Sequence, residues 1–325
     1  MSIKKIAVIS FDHWNYDRHI VAALKKKGVQ AVHINIGQYK HANIWVKTKN
    51  TLSKIFFDEN PKKVKRQEFI LETLKKLGIQ DQILVINPEL IDKKYHLEIK
   101  KYTSRYIAYL YDSVARCPVE HLLEGVFDTI FSFDTADVKK YGFQETTNYI
   151  YLEKQKITET KSTFDVFYLA SFDKRMDFLK QISNKLDGIQ VSYLFIIVGK
   201  KTWKKQLFAV FGKTNTNIIY RRKRINQENL GDYYAKSNAI FDLVRDHQTG
   251  LSFRVFEAMA YQKKLITNNP NIMNYDFYNS NNIMVINEKK LEFDPAFFNS
   301  NYEPLSDKIY NKYTLEHWTK TVFDL

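Results

Sequence analysis

SNAIFDLVRDHQTGLSFRVFEAMAYQKKLITN, residues 237–268, is the stretch that decides the fold. It reads as a strand, a polar loop, a helix and a second strand. Ala239 to Val244 is a short run mixing β-branched and aromatic residues, the composition of a buried strand. Arg245 to Gly250 is a polar turn. Ser252 stands where a helix cap belongs, and Phe253, Val255, Phe256 and Met259 give the next segment an apolar side. Ala258 and Ala260 let that helix pack closely, and Leu265 to Thr267 opens the following strand. A glycine loop feeding a helix N-terminus at the end of a parallel strand suits a phosphate, because the first-turn N–H groups lack partners within the helix.

The same alternation extends outward in both directions. Downstream of the polar, charge-mixed stretch Glu153 to Ser162, strands are expected at Asp165 to Ser171, Ser192 to Val198, Asn217 to Tyr220 and Ile283 to Ile286. Helices are expected at Phe178 to Leu186 and Gln227 to Lys236, with a terminal one at Tyr313 to Phe323. Upstream, Lys5 to Ser10, Gln30 to Ile36, Gln82 to Ile86, Arg105 to Tyr111 and Thr129 to Phe133 read as strands. Asp17 to Lys27, Glu68 to Leu77 and Thr135 to Tyr141 read as helices stopped by Gly28, Gly78 and Gly142. Residues 40 to 66 are basic and irregular, with helical pieces and exposed Trp45, Phe56 and Phe57 expected. Strands separated by helices make parallel sheets. The expectation is an α/β chain of two doubly wound Rossmann-like domains: residues 1–155, residues 163–300, and a C-terminal helical segment, 301–325, packing back toward the first.

Length and composition fit this. A chain of 325 residues supports two cores. There is no run of about 18 apolar residues, the minimum for a membrane span. The apolar start of the chain is broken too soon, by Asp12 and His13, for a signal peptide, and reads as a first strand. Cys117 stands alone, which rules out internal disulfides and Cys-pair zinc sites and points to a reducing, cytoplasmic setting. The formal charge is +14, and residues 1–110 hold 21 basic against 10 acidic side chains. Two readings stand for that surplus: an anionic partner, nucleic acid or a membrane surface, or lysine-rich solvated helix faces. The 21 Tyr and 23 Phe are more than a plain core needs and suit open clefts.

Ser237 to Thr267 resembles the donor-binding region of GT-B glycosyltransferases: strand, glycine loop (Gly250), helix with Glu257-Ala258-Met259-Ala260, then Leu265-Ile266-Thr267. Gln248-Thr249-Gly250-Leu251, Arg254 and Glu257, with Lys263 to Asn268, narrow it to the RfaS-like bacterial lipopolysaccharide and capsule transferases. Tyr111-Asp112-Ser113, and Ser132-Phe133-Asp134 with Asp137 and Tyr141-Gly142, extend the likeness over nearly the whole chain.

The resemblance implies two domains facing across a cleft, with a nucleotide-sugar donor on the C-terminal one and a glycan or lipid-linked glycan acceptor on the other. Glu257 then accepts from the ribose hydroxyls, where a carboxylate can serve both members of a cis-diol. Arg254 lies in the first turn of its helix, against the helix dipole, so it faces an anion, with a diphosphate as the expected one. Gln248 belongs to the same donor motif, and Gly250 and Leu251 offer backbone N–H groups to that phosphate. Arg221 and Lys223, in the run Arg221-Arg222-Lys223-Arg224, are candidates for the leaving diphosphate; a solvated charge run is the other reading. Asp12, His13 and Asp112 follow strands of the first domain and are candidates for the base that takes the acceptor's proton, Asp112 preferred. A turn or cap role is open for each, and more so for Asp134. Retaining enzymes of this fold often carry a second Glu eight residues before the ribose Glu; that place here holds Thr249. No metal or other cofactor is expected, and no nucleic-acid signature is present. The alternatives are a GT-B-fold sugar-nucleotide epimerase and a non-catalytic basic α/β binding protein. The localisation expected is cytoplasmic, peripheral on the inner membrane face.

Overall fold

The structure is a computed structural model that describes residues 3–12, 14–38, 61–157, 162–199, 217–246 and 248–325. It divides into two compact units, Met1–Thr147 with Leu315–Leu325, and Asn148–Thr314. The expected helical pieces and exposed aromatics between residues 40 and 60, and the candidate base His13, lie outside the described residues.

The first unit is built on six parallel strands: β1 (Lys5–Ser10), β2 (Gln30–Asn35), β3 (Gln80–Ile86), β4 (Thr103–Leu110), β5 (Thr129–Ser132) and β6 (Gln144–Glu145). Their order is β2-β1-β3-β4-β5-β6. Ile6 to Ile9, Ile83 to Val85 and Tyr106 to Tyr109 are fully buried, as central strands covered on both faces must be. Helix α1 (Asp17–Lys26) lays Ile20, Val21 and Leu24 on the sheet, and Gly28 at φ +78° ends it, a left-handed position that glycine takes without strain. Helix α2 (Pro61–Leu77) starts seven residues before the expected Glu68. Proline at a first helical position costs nothing there, and the basic residues after it run from exposed Lys62 to half-buried Arg66, whose guanidinium lies over the Phe11 ring. Helix α3 (Lys93–Lys100) buries only His96 and Ile99; with so little apolar periodicity, the sequence gives no sign of it. Helix α4 (Thr135–Tyr141) is capped by Asp134, whose carboxylate accepts from Ala136 and Asp137 N–H, the cap role left open for that residue. The C-terminal helix, Leu315–Phe323, belongs to this unit: Trp318 packs edge-on against Tyr109 at 5.0 Å, and Gln82 Nε2 donates to the Phe323 carbonyl at 2.8 Å.

The second unit repeats the architecture with β7 (Phe164–Ser171), β8 (Tyr193–Val198), β9 (Ile218–Arg221), β10 (Ser237–Asp242), β11 (Lys264–Thr267) and β12 (Ile283–Val285). The order is β12-β11-β10-β7-β8-β9, all parallel. Helix α5 (Met176–Gly188) seats Leu179, Ile182 and Leu186. Helices α6 (Gln227–Ala235) and α7 (Phe253–Ala260) flank β10 in sequence. In a parallel sheet all strands end on one edge, so the loops after β7 and β10 share a rim. The chain enters this unit at Asn148 and leaves it at Thr314, and those ends lie side by side: Ile150 N–H donates to the Tyr313 carbonyl at 2.7 Å.

Candidate functional site

The loop between β10 and α7 is fixed by amide side chains. Asn269 and Asn271, just past β11, both donate to the Thr249 carbonyl, and Asn269 also reaches that of Gly250. Gln248 Nε2 donates to the same Gly250 carbonyl at 3.1 Å, and Asn148 donates to that of Leu251 at 2.9 Å. The loop's carbonyl oxygens are therefore committed inward. Gly250 and Leu251 are both buried. Ser252 caps α7, accepting from Arg254 N–H, and its hydroxyl donates to Asp242 at 2.8 Å.

Arg254 has an anion within the chain. Its Nη1 donates to Asp242 Oδ1 at 2.7 Å and its Nη2 to the Leu169 carbonyl at 2.8 Å, and the guanidinium lies 5.4 Å from the Tyr168 ring centre. Burial works against its charge, but Asp242, with Tyr168, Tyr234 and Glu257, more than offsets it and holds the pKa above the ordinary arginine value. The position of Arg254 against the dipole of α7 thus has a local explanation: the anion it faces is Asp242, which is 1% exposed and has Oδ2 buried without a hydrogen-bond partner. The sequence reading missed Asp242. It also missed Arg175, in the loop after β7, which pairs with Asp173 at 2.6 Å and donates to the Leu243 carbonyl. Both sit at strand ends on the shared rim, and that topological position was the available signal.

Glu257 is 3% exposed, more enclosed than an open helix face. Its Oε1 accepts from Tyr151 and its Oε2 from Tyr234, each at 2.5 Å. Arg221 and Lys223 are exposed at the end of β9. That edge strand is three positions from β10, about 14 Å at the usual strand spacing, so the structure does not bring them beside Gly250, Arg254 and Glu257.

On the first unit, the strand-end rim carries carboxylates. Asp12, at φ +43°, accepts the N–H of Asp17, the first residue of α1, at 3.0 Å, although the cap position itself is Tyr16. Burial first, then the Asp12 charge, push the Asp17 carboxyl up to about 7, against hydrogen bonding with Ser10 and the Asp12 backbone. Asp112 pairs with Arg116 at 3.1 Å. Burial lifts the Asp112 pKa more than Arg116 lowers it, and Asp134 adds to the rise. Glu89, after the left-handed Asn87, is raised mainly by burial, and its Oε2 is buried without a partner. Tyr111, whose hydroxyl donates to Asn87 Oδ1 at 2.9 Å, stands among all four: its phenol is pushed well up by burial, then by Asp17, Glu89, Asp112 and Asp12. The structure thus joins Asp112 and Asp12 to one cluster and adds Asp17 and Glu89. Asp17 reads in sequence as a mere helix start, and Glu89 as part of a turn. Among the described residues no group of three or more His, Cys, Asp or Glu side chains is placed to hold a metal ion, and no helix is long and apolar enough to cross a membrane.

Two six-stranded parallel sheets with this order and these helices are the GT-B glycosyltransferase fold. Among solved structures that share it is an alpha-glucosyltransferase in complex with UDP and a DNA 13-mer, 12% identical, matched over 99% of this chain and 96% of that one with a TM-score of 0.57. The lipopolysaccharide outer core galactosyltransferase WaaB is 12% identical over 98% and 99% of the two chains, with a TM-score of 0.51. The UDP-GlcNAc 2-epimerase from Methanocaldococcus jannaschii matches over 99% and 100% at 13% identity and a TM-score of 0.53. No protein-family model matches the sequence, and no curated protein does.

Proposed function

We propose that the chain is a glycosyltransferase that moves a sugar from a nucleotide-sugar donor to a hydroxyl of a surface glycan, of the lipopolysaccharide or capsule kind. The observation that carries this is the loop Gln248–Leu251, whose carbonyls are tied back by Asn148, Gln248, Asn269 and Asn271 ahead of α7. A loop held that way is preorganised before a ligand arrives. The second unit would take the donor: Gly250 and Leu251 amides at the diphosphate, Glu257 at the ribose. Arg254, with both Nη groups engaged, would contribute its positive field rather than a direct grip. The UDP in a solved structure of this fold makes uridine diphosphate the first nucleotide to try.

On the acceptor side, Asp112 is the proposed base, with Asp12 holding α1 beside it. A carboxyl lifted above its ordinary range is a better proton acceptor near neutral pH. The acceptor oxygen forms a bond to the anomeric carbon, the bond from that carbon to the phosphate oxygen breaks, the proton passes to Asp112, and the nucleoside diphosphate leaves with the electron pair. The basic surplus of residues 1–110 supports docking on an anionic inner leaflet from the cytoplasmic side. Sedimentation with vesicles tests that, and equal binding to neutral and anionic lipid would reject it.

The enzyme is tested by thermal shift with UDP, GDP and CMP, then turnover of a nucleotide-sugar panel. One nucleotide should stabilise the protein, and Asp112→Asn should abolish sugar release while nucleotide binding stays. Stabilisation by none, with DNA retained at moderate salt, would overturn the reading in favour of a binding protein. The epimerase that shares the fold makes the product informative: an epimerised nucleotide sugar in place of free sugar and nucleoside diphosphate would assign that chemistry instead.

A further inference from the structure

We infer that the end of edge strand β9, from Ile219 to Arg224, is a docking strip for an anionic lipid bilayer, separate from the basic residues 1–110 and independent of the chemistry proposed above. Exposure alternates along β9. Ile218 and Tyr220 pack against the core of the unit, while Ile219, 38% exposed, and Arg221 stand in solvent. The chain continues past the strand with Arg222, Lys223 and Arg224, all exposed. In a parallel sheet this is the edge at which the loops after β7 and β10 also lie. With β8 and β7 between them, β9 is about 14 Å from β10 at the usual strand spacing.

The strip differs in composition from an ordinary solvated face. The chain holds 40 lysines and 10 arginines, yet three of those ten arginines fall within residues 221–224. A guanidinium can take two phosphate oxygens at once, which an ammonium cannot do in the same fixed geometry. No acidic residue lies between Asp187 and Glu228 in the sequence. On the same rim, Asp173 is already held by Arg175 and Arg245. Arg221 and Arg224 have other contacts within the chain, whereas Arg222 and Lys223, between them, meet no carboxylate among the described residues. Adjacent like charges repel one another, and an anionic surface relieves that repulsion. Nucleic acid would meet the charge too, but its single strands call for aromatic side chains on which bases stack. Tyr220, the aromatic residue of the strip, is packed against the core instead. An exposed isoleucine beside cations suits the boundary between anionic headgroups and acyl chains.

The test is sedimentation of the full chain with vesicles of phosphatidylcholine alone and with phosphatidylglycerol added. The wild-type protein should bind the anionic vesicles and not the neutral ones. Arg222→Gln with Lys223→Gln should weaken that binding by about tenfold or more, since each cation near an anionic surface contributes roughly fivefold. Ile219→Ser should weaken it several-fold with no change in charge. Lys25→Gln with Lys26→Gln, exposed on α1, removes the same charge elsewhere and should cost clearly less. An equal loss in that control would overturn the strip in favour of net charge alone. Anionic binding that survives Arg222→Gln with Lys223→Gln would overturn the strip and leave residues 1–110 as the docking surface. If the same double change spares vesicle binding but abolishes retention of DNA, the run belongs to nucleic acid. Equal binding of the wild-type protein to both kinds of vesicle would overturn the strip and the role of residues 1–110 together.

Discussion

Arg254, partly exposed, and buried Asp242 form an ion pair, Nη1 to Oδ1 at 2.7 Å, that joins the first turn of α7 to the end of β10. Asp242 is almost wholly enclosed and also accepts from the helix cap Ser252, so strand, cap and helix meet on one carboxylate. Removing Arg254 leaves Asp242 charged and out of reach of water.

Arg254→Ala should therefore destabilise the protein by about 3–5 kcal/mol, whatever it does to nucleotide binding. Asp242→Ala should cost less, because the partly exposed Arg254 can be solvated, and the double change Arg254→Met with Asp242→Leu should recover much of the loss, since apolar replacement of a whole ion pair is often tolerated. Urea unfolding of the three variants checks this. A fully stable Arg254→Ala protein would show that the pair holds nothing.

Asp17 predicts a pH effect of definite sign. Its carboxyl rises from 3.8 in water to about 7 in the fold, so the native state binds the proton more tightly than the unfolded chain does. Its contribution is favourable while it is protonated and is lost as pH rises from about 4 through 7. Asp17→Asn should flatten that fall: the wild-type-minus-variant difference in midpoint should grow unfavourable between pH 4 and pH 8. Melting curves at four pH values decide it, and a constant difference would rule out a raised Asp17.

Cys117 should be a poor nucleophile. Burial, then Glu89 and Asp112, push its thiol up to about 12, which leaves roughly one thiolate in ten thousand at pH 8. Its reaction with a coloured disulfide reagent should run at least about 100-fold slower than that of free cysteine, and Glu89→Gln should speed it. A wild-type rate near that of free cysteine would contradict the cluster around Tyr111.

Gly231, inside α6, reverses the usual expectation for a helical glycine. Alanine there would ordinarily stabilise by about 0.5–1 kcal/mol, but a Cβ would stand 2.2 Å from the Tyr261 hydroxyl. Gly231→Ala should destabilise on its own and be neutral or stabilising alongside Tyr261→Phe. Thermal unfolding of the pair of variants measures the coupling.

Much of the fold was legible because its signals are local. Apolar β-branched runs mark β1, β3, β4, β8 and β10, and Gly28, Gly78 and Gly142 stop helices where the chain needs a left-handed residue. Ser252 and Asp134 cap as their side chains suggest. What stayed hidden depends on contacts between residues far apart in sequence. Tyr151 and Glu257 are 106 positions apart, and neither betrays that it meets the other. Asp242 reads as one more apolar-strand ending until Arg254 is folded onto it. Asp17 has the composition of an ordinary first-turn acid, and burial, with the Asp12 charge, changes its chemistry. Arg221 and Lys223 stood out as a dense charge run, while their place on the edge strand β9 depends on strand order, which no local signal carries.

The parallel bridge between Ile150 and Thr314 has a consequence for how the gene can be handled. The second unit is one uninterrupted span whose two ends nearly touch, while the first is assembled from both ends of the chain. Adjacent ends make the span a self-closing cassette, with little entropy to lose when its termini meet. Residues 148–314 are accordingly the natural piece to excise, exchange with another such cassette or reopen at a new terminus by circular permutation, whereas no single cut releases the first unit whole.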